Sequence, residues 1–252
     1  EINSLRNMVI MVQFEGCEPD KIERFHEAQR KASKPFVLWQ LDFARVFREK
    51  GGFDIVIGNP PYVGEKGNKE MFRSIAATKF GKRFYQGKMD LFYFFFHKAI
   101  DIGNDTAEIS FITTNYYPTA FGGKILRKDF ATRIDIRRLI NFNELKIFES
   151  AMGQHNMITM LTKKKNNILA HNCLSMVSGV ADSIMLREIL YSGIYNDEFF
   201  KTRKIEQSLL YDGDEYYIRI FGIGTSNEDS IDSVLSKIAN AKKSLKQIAE
   251  IK

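Results

Sequence analysis

Ile55, Val56 and Ile57 form a short apolar run that ends at Gly58, Pro60 and Pro61. Such a run reads as a strand, and its unbroken apolar character predicts burial on both faces. The prolines lack a backbone N–H and cannot continue a central ladder, so the strand gives way to a stiff loop. Met89 to Ile102 is apolar on most sides and predicts a buried helix, with Phe92, Phe95, Phe96 and Ala99 in the core. Residues 109–115 (ISFITTN) form the next strand, and Gly122-Gly123 begin a helix to about Thr132. Arg138–Phe142 and Met157–Leu161 are two further strands. Upstream, Leu5, Met8, Val9 and Val12 recur at helical spacing. Asp20 is placed to cap a helix that runs from Pro19 to about Lys34. Phe36 to Trp39 reads as a short strand leading to Asp42 and Phe43.

The pattern loosens at Lys163–Lys165. Beyond it, Ala181–Tyr191 and Ser230–Ala249 read as helices, and Tyr216–Phe221 as an extended segment. The expected architecture is therefore α/β over residues 1–166, followed at 167–252 by a mostly helical extension.

Composition narrows this only a little. A chain of 252 residues, 44% apolar and 27% charged, suits one globular domain with an extension. No apolar run reaches membrane-spanning length, and the Leu91–Phe96 cluster stops at His97 and Lys98. No signal-peptide pattern opens the chain, so a cytoplasmic setting is expected. Cys17 and Cys173 have no metal-ligand spacing, and no metal site is expected. The net charge of +6 admits a polyanionic partner.

The candidate chemistry lies at Asn59-Pro60-Pro61-Tyr62. A loop at the carboxyl end of a strand is where open α/β sheets bind ligands. The exocyclic amine of adenine is a poor nucleophile, because its lone pair is delocalised into the ring. The Asn59 side-chain oxygen and the Pro60 carbonyl can each accept one of its N–H groups and draw the lone pair toward an electrophile. Prolines keep those dipoles aimed, and preorganised dipoles are a large catalytic contribution. Tyr62 can stack on the base, which is worth about 1–3 kcal/mol.

Asn-Pro-Pro-Tyr after Phe53-Asp-Ile-Val-Ile-Gly58 resembles motif IV of amino-group methyltransferases that use S-adenosylmethionine. Trp39-Gln-Leu-Asp42-Phe43 lies upstream of it. Gly87-Lys-Met-Asp90-Leu-Phe-Tyr93, Asn115, Ile147-Phe148 and His155-Asn156 follow in order. The series is similar to the TaqI-like N6-adenine DNA methyltransferases and the Type IIG restriction–modification enzymes, over roughly residues 36–165. The resemblance implies a Rossmann-like methyltransferase sheet, from motif IV onward, whose final strand runs antiparallel. It implies S-adenosylmethionine as cofactor and double-stranded DNA as partner. Asp42 and Phe43 fall where a motif III pair meets the adenine of the cofactor; on the residues alone, Asp42 capping a helix through Phe47 explains them equally well. Asn59 borders both cofactor and target. Phe148 falls where an aromatic packs on the flipped base, and a core-plugging role competes evenly.

The stretch after Tyr62 is basic and aromatic. Lys66, Lys69, Lys82 and Arg83 are expected DNA contacts, against the plain alternative of a solvated helix. Asn115 can border the pocket or serve a turn, and His155 reads as structural. The glycine-rich turn that holds the methionine part of the cofactor in this group is not found before Asn59; Gly51-Gly52 is misplaced. Phe221-Gly-Ile-Gly224-Thr225 has short spacing and reads as a loop. The chain thus resembles the later half of such an enzyme, with activity of this piece alone not expected. No Asp…Glu-X-Lys set marks a nuclease. Two other readings stay open: protein glutamine N5-methylation, which uses the same tetrapeptide, and a non-catalytic DNA-binding piece.

Overall fold

The run at 55–57 does form a strand, but not a buried one. In the computed structural model, which describes residues 19–30, 37–148, 155–191 and 199–221, β1 (Phe53–Gly58) is the first strand of a six-stranded sheet. Ile55 and Ile57 are 70% and 79% exposed. Burial on both faces is therefore corrected. Among the described residues β1 has a neighbour on one side only, and a strand at a sheet edge has one ladder side unpaired.

The chain divides into two compact units, Glu1–Phe53 and Asp54–Lys252. The first holds helix α1 (Pro19–Arg30), a single helical turn α2 (Trp39–Asp42) and α3 (Ala44–Lys50). A strand was expected up to Trp39. Instead Trp39 opens the turn, because the Asp42 carboxylate accepts the Leu38 N–H at 2.7 Å and folds the chain back on itself. Trp39, Phe43 and Phe47 gather around Phe53, with ring centroids 5.1–5.8 Å from it.

In the second unit, α4 (Lys69–Ala77), α5 (Lys79–Phe84) and α6 (Leu91–Ile102) lead from β1 to β2 (Gly103–Thr114). A 3-10 turn at Phe121–Gly123 feeds α7 (Lys124–Arg133), then β3 (Asp135–Asn141), the short β4 (Leu145–Lys146) and β5 (Asn156–Thr162). The sheet order is β1-β2-β5-β3, continued by β6 (Ala170–Ser175) and β8 (Phe200–Ile205). β5 pairs antiparallel with both β2 and β3, as the resemblance implies. The carboxyl ends of β2 and β3 therefore lie beside the amino end of β5. Thr114 and Asn156 are register partners there, and so are Asn141 and Met157.

The core is aromatic. Phe92 and Phe96 of α6 are fully buried with Phe111, Tyr117 and Phe130. Phe96 lies 4.9 Å from the ring of Phe111 and 5.2 Å from that of Phe130, near enough to edge-on and tilted packing to contribute beyond area alone. Phe95 was expected in the core but lies on the exposed face of α6.

The region after residue 166 is not mostly helical among its described residues. It contains β6, the short β7 (Gly179–Val180), β8 and a hairpin of β9 (Tyr211–Asp212) with β10 (Tyr217–Ile218), against one α-helix, α8 (Ser183–Tyr191). β6 runs parallel to β3, and β8 antiparallel to β6. Along β6, Ala170, Asn172, Cys173 and Ser175 are buried while His171 and Leu174 are only partly so, and the strand is held by its pairing with β3 and β8. The segments at Leu5–Val12, Gly222–Thr225 and Ser230–Ala249 lie outside the described residues.

Candidate active site

At the carboxyl end of β1 the backbone comes close to the sheet. A Cβ on Gly58 would stand 3.3 Å from the Phe111 ring, so the residue before Asn59 has room only for glycine without a shift. Asn59 and Pro61 are exposed and Pro60 is buried. The loop thus presents an amide to solvent from a rigid, half-sunk base. Tyr62 is half-buried: its hydroxyl donates to the Ile112 carbonyl at 3.2 Å, and its ring meets Phe92 edge-on at 6.4 Å. Burial pushes its pKa up, so the phenol stays protonated at neutral pH. The hydroxyl is anchored, and the ring serves as a fixed platform.

A polar rim runs along the ends of β2, β3 and β5. The Asn115 side-chain amide donates to Asn141 Oδ1 at 2.9 Å, and the Asn143 N–H donates to the same oxygen at 3.0 Å. His155 Nδ1 lies 2.8 Å from the Asn143 carbonyl, which requires the proton on Nδ1. His155 therefore ties two loops together. Two buried groups on this rim, Thr114 Oγ1 and Asn156 Nδ2, have no hydrogen-bond partner. Asn156 falls in the polar His155-Asn156 pair noted in the sequence, and it is buried at the start of β5.

Beyond Tyr62 the chain builds a slot of about 680 Å³ lined by Gly64, Glu65, Lys66, Lys69, Gly87, Lys88, Met89 and Asp90. Gly64 bridges antiparallel to Asp90. The Glu65 N–H donates to the Met89 carbonyl at 2.9 Å, and the Leu91 N–H to the Val63 carbonyl at 2.8 Å. The loop after motif IV is thereby zipped to Gly87–Asp90.

The match to known sequences decides the family. Residues 6–148 match the Eco57I restriction-modification methylase family. The chain belongs to that family. Among curated relatives, the Type II methyltransferase M.HincII of Haemophilus influenzae is 31% identical over 117 residues, 46% of this chain and 23% of the relative. The Type II methyltransferase M.BstVI of Geobacillus stearothermophilus is 24% identical over 131 residues, 51% of this chain and 22% of the relative. The chain therefore spans under a quarter of the length of these two relatives. A solved chain from a study of complex assembly and conformational transition in a type I R-M system shares the fold. Its TM-score is 0.51 at 10% identity, covering 77% of this chain and 46% of that one.

The family match covers most of the residues singled out in sequence. Asp42 and Phe43 are both exposed within the first unit. Phe148 follows β4 and is half-buried, while the ring contact of Tyr62 is with Phe92. Lys66 and Lys69 line the slot, but Lys82 and Arg83 stand on α5 outside its lining. Arg83 is drawn toward Asp101, 3.5 Å away, and lies over the Phe84 ring at 4.6 Å. Lys88 and Asp90 were missed as site residues although they fall inside a quoted motif. No group of three or more metal-ligating side chains is found among the described residues. Likewise, no helix among them is long and apolar enough to cross a membrane.

Proposed function

We propose that this chain carries the target-amine side of an adenine-N6 methyltransferase acting on double-stranded DNA, with S-adenosylmethionine as methyl donor. The observation that carries the reading is the loop Asn59–Tyr62 in a chain of this family: an exposed amide, a buried proline beneath it and an aromatic ring held at its hydroxyl. The relatives named as Type II methyltransferases support it. The donor set fits the bound groups the reading requires. Asn59 is exposed and offers an acceptor to the amine, and the family resemblance assigns Asp42 and Phe43 to the cofactor's adenine.

S-adenosylmethionine supplies an electrophilic methyl on sulfur. The Asn59 side-chain oxygen and the Pro60 carbonyl accept the two amine hydrogens, which fixes the nitrogen and localises its lone pair. The nitrogen would then attack the methyl carbon in line with the sulfur, the carbon–sulfur bond breaking to release the demethylated thioether, S-adenosylhomocysteine, and the surplus proton would leave to water after the bond has formed. No strong base is needed, which agrees with His155 being occupied in a loop tie. The duplex base must flip out to reach the loop, at a cost of a few kcal/mol. Tyr62, with Phe148 closing on the other face, would hold it there.

The test is product identity. The natural polypeptide that carries this sequence is incubated with duplex DNA and S-adenosylmethionine labelled on the methyl, and the DNA is digested to nucleosides. Label in N6-methyl-2′-deoxyadenosine is expected. Label in a glutamine-bearing peptide offered alongside, with none in DNA, would replace the reading by protein methylation.

A further inference from the structure

The slot after Tyr62 is not accounted for by the chemistry at Asn59. Three lysines line it, Lys66, Lys69 and Lys88, all exposed. None of the three forms an ion pair among the described residues; Lys88 instead leans over the Phe121 ring at 5.1 Å. The two carboxylates in the lining are otherwise engaged. Glu65 accepts the Tyr85 hydroxyl at 2.6 Å and the Met89 N–H at 3.4 Å. Asp90 is half-buried, and burial pushes its pKa up from the ordinary carboxylate value. With three lysines against these two carboxylates, the net charge of the lining is positive.

The slot is also rigid. The bridge from Gly64 to Asp90 closes one side. On the other side, Gln86 donates to the Phe121 carbonyl at 2.7 Å and accepts the Ile125 N–H at 2.7 Å. Gly122 presses against the Lys88 carbonyl so closely that a Cβ there would lie 1.9 Å from the oxygen. Lys69 is also the first residue of α4, whose N-cap Asn68 makes no side-chain cap bond. First-turn amides left uncapped favour an anion.

Resting on the methyltransferase reading above, we propose that this slot binds the phosphodiester backbone of the DNA strand whose base is presented to Asn59. Gly64 is two residues beyond Tyr62, so a phosphate held there lies next to a base stacked on that ring. The lysines then anchor the strand while the base rotates out. Lys82 and Arg83, outside the slot, are not part of this anchor.

The test is the salt dependence of duplex binding by the unaltered chain and by Lys66→Gln/Lys69→Gln/Lys88→Gln. Each phosphate contact adds about 0.9 to the log–log slope on B-form DNA. The slot variant is expected to lose about 2 to 3 of that slope, Lys→Arg at the three positions to keep it, and Lys128→Gln/Lys164→Gln/Lys204→Gln to leave it unchanged. Inorganic phosphate, a free-anion probe, is expected not to displace the duplex at millimolar concentration. Equal slopes for the slot and control variants, or no duplex binding by the unaltered chain, would overturn the proposal. The two readings separate cleanly. Asn59-dependent methylation with an unaltered slope removes the slot alone. A lost slope in a protein that never methylates adenine keeps the slot and removes the enzyme.

Discussion

Two clusters of charge in this molecule have opposite construction. On α6 and α7, His97, Asp129, Arg133 and Asp101 form a closed network. His97 Nδ1 lies 2.6 Å from Asp129, and Arg133 reaches both Asp129 and Asp101 at 2.6 Å. The His97 ring stacks on Phe84 at 3.8 Å and is fully buried. In the slot beside Asn59 the cations are exposed and outnumber the carboxylates, one of which, Glu65, is taken up by neutral donors. A cation whose charge is matched inside the fold serves the fold. A cation left unmatched on a rigid wall is available to a ligand. That difference separates Arg83, paired with Asp101 at the edge of that network, from Lys66 and Lys69, although all three sit in one basic stretch of sequence.

The comparison can be broken at several points. The largest effect is expected from Phe96→Ala, about 3–4 kcal/mol in urea unfolding because the ring is buried on all sides. A loss below about 1 kcal/mol would contradict the packing described. Next is Arg133→Met, which leaves the Asp129 and Asp101 carboxylates without their main partner; these are partly exposed charged hydrogen bonds, and their loss is expected to cost about 2 kcal/mol. The DNA salt slope should not move; a shifted slope with intact stability would join the two clusters.

A smaller effect is expected from pH. Burial holds the His97 pKa below its ordinary value of 6.5, opposed by Asp129. Burial alone would raise the Asp129 pKa, but hydrogen bonds from His97 and Arg133 outweigh it and the net shift is downward. Both folded-state values are lowered, so in each case the unfolded chain binds more protons. Stability is full above 6.5 and is lost as pH falls through the folded-state values. The Tm should therefore drop on acidification from pH 7 to 5, with the slope nearest pH 6 reduced in His97→Gln. A Tm that rises over that range would reverse the assignment. The smallest effect is expected from Lys128→Gln, an exposed lysine that takes part in neither cluster, whose stability change should stay within about 0.5 kcal/mol.

Much of this was legible in the sequence. Proline and glycine punctuation located the Asn59 loop, and periodicity located α6, β2, β3 and β5. The exposure of Ile55 and Ile57 was not legible, because an apolar run records only what a strand prefers to touch and not whether it lies at an edge. The turn at Trp39 was hidden because Asp42 acts locally through one side-chain bond. The strands after residue 166 were missed for a different reason. β6 and β8 are six residues each and mix polar with apolar positions, so their pairing is set by the sheet they join. The slot was missed because its walls, residues 64–69 and 87–90, meet through non-local backbone pairing that leaves no periodic trace.

The central claim is that the Asn59 amide acts on the transferred group and not on the affinity for DNA. The most direct measurement compares single-turnover methylation and duplex binding for Asn59→Ala in the natural polypeptide. Methylation should fall by a factor of about 100 or more, as expected for loss of one preorganised dipole, while the Kd for the duplex changes by less than about threefold. Unchanged turnover, or a fall explained wholly by lost binding, would contradict the account.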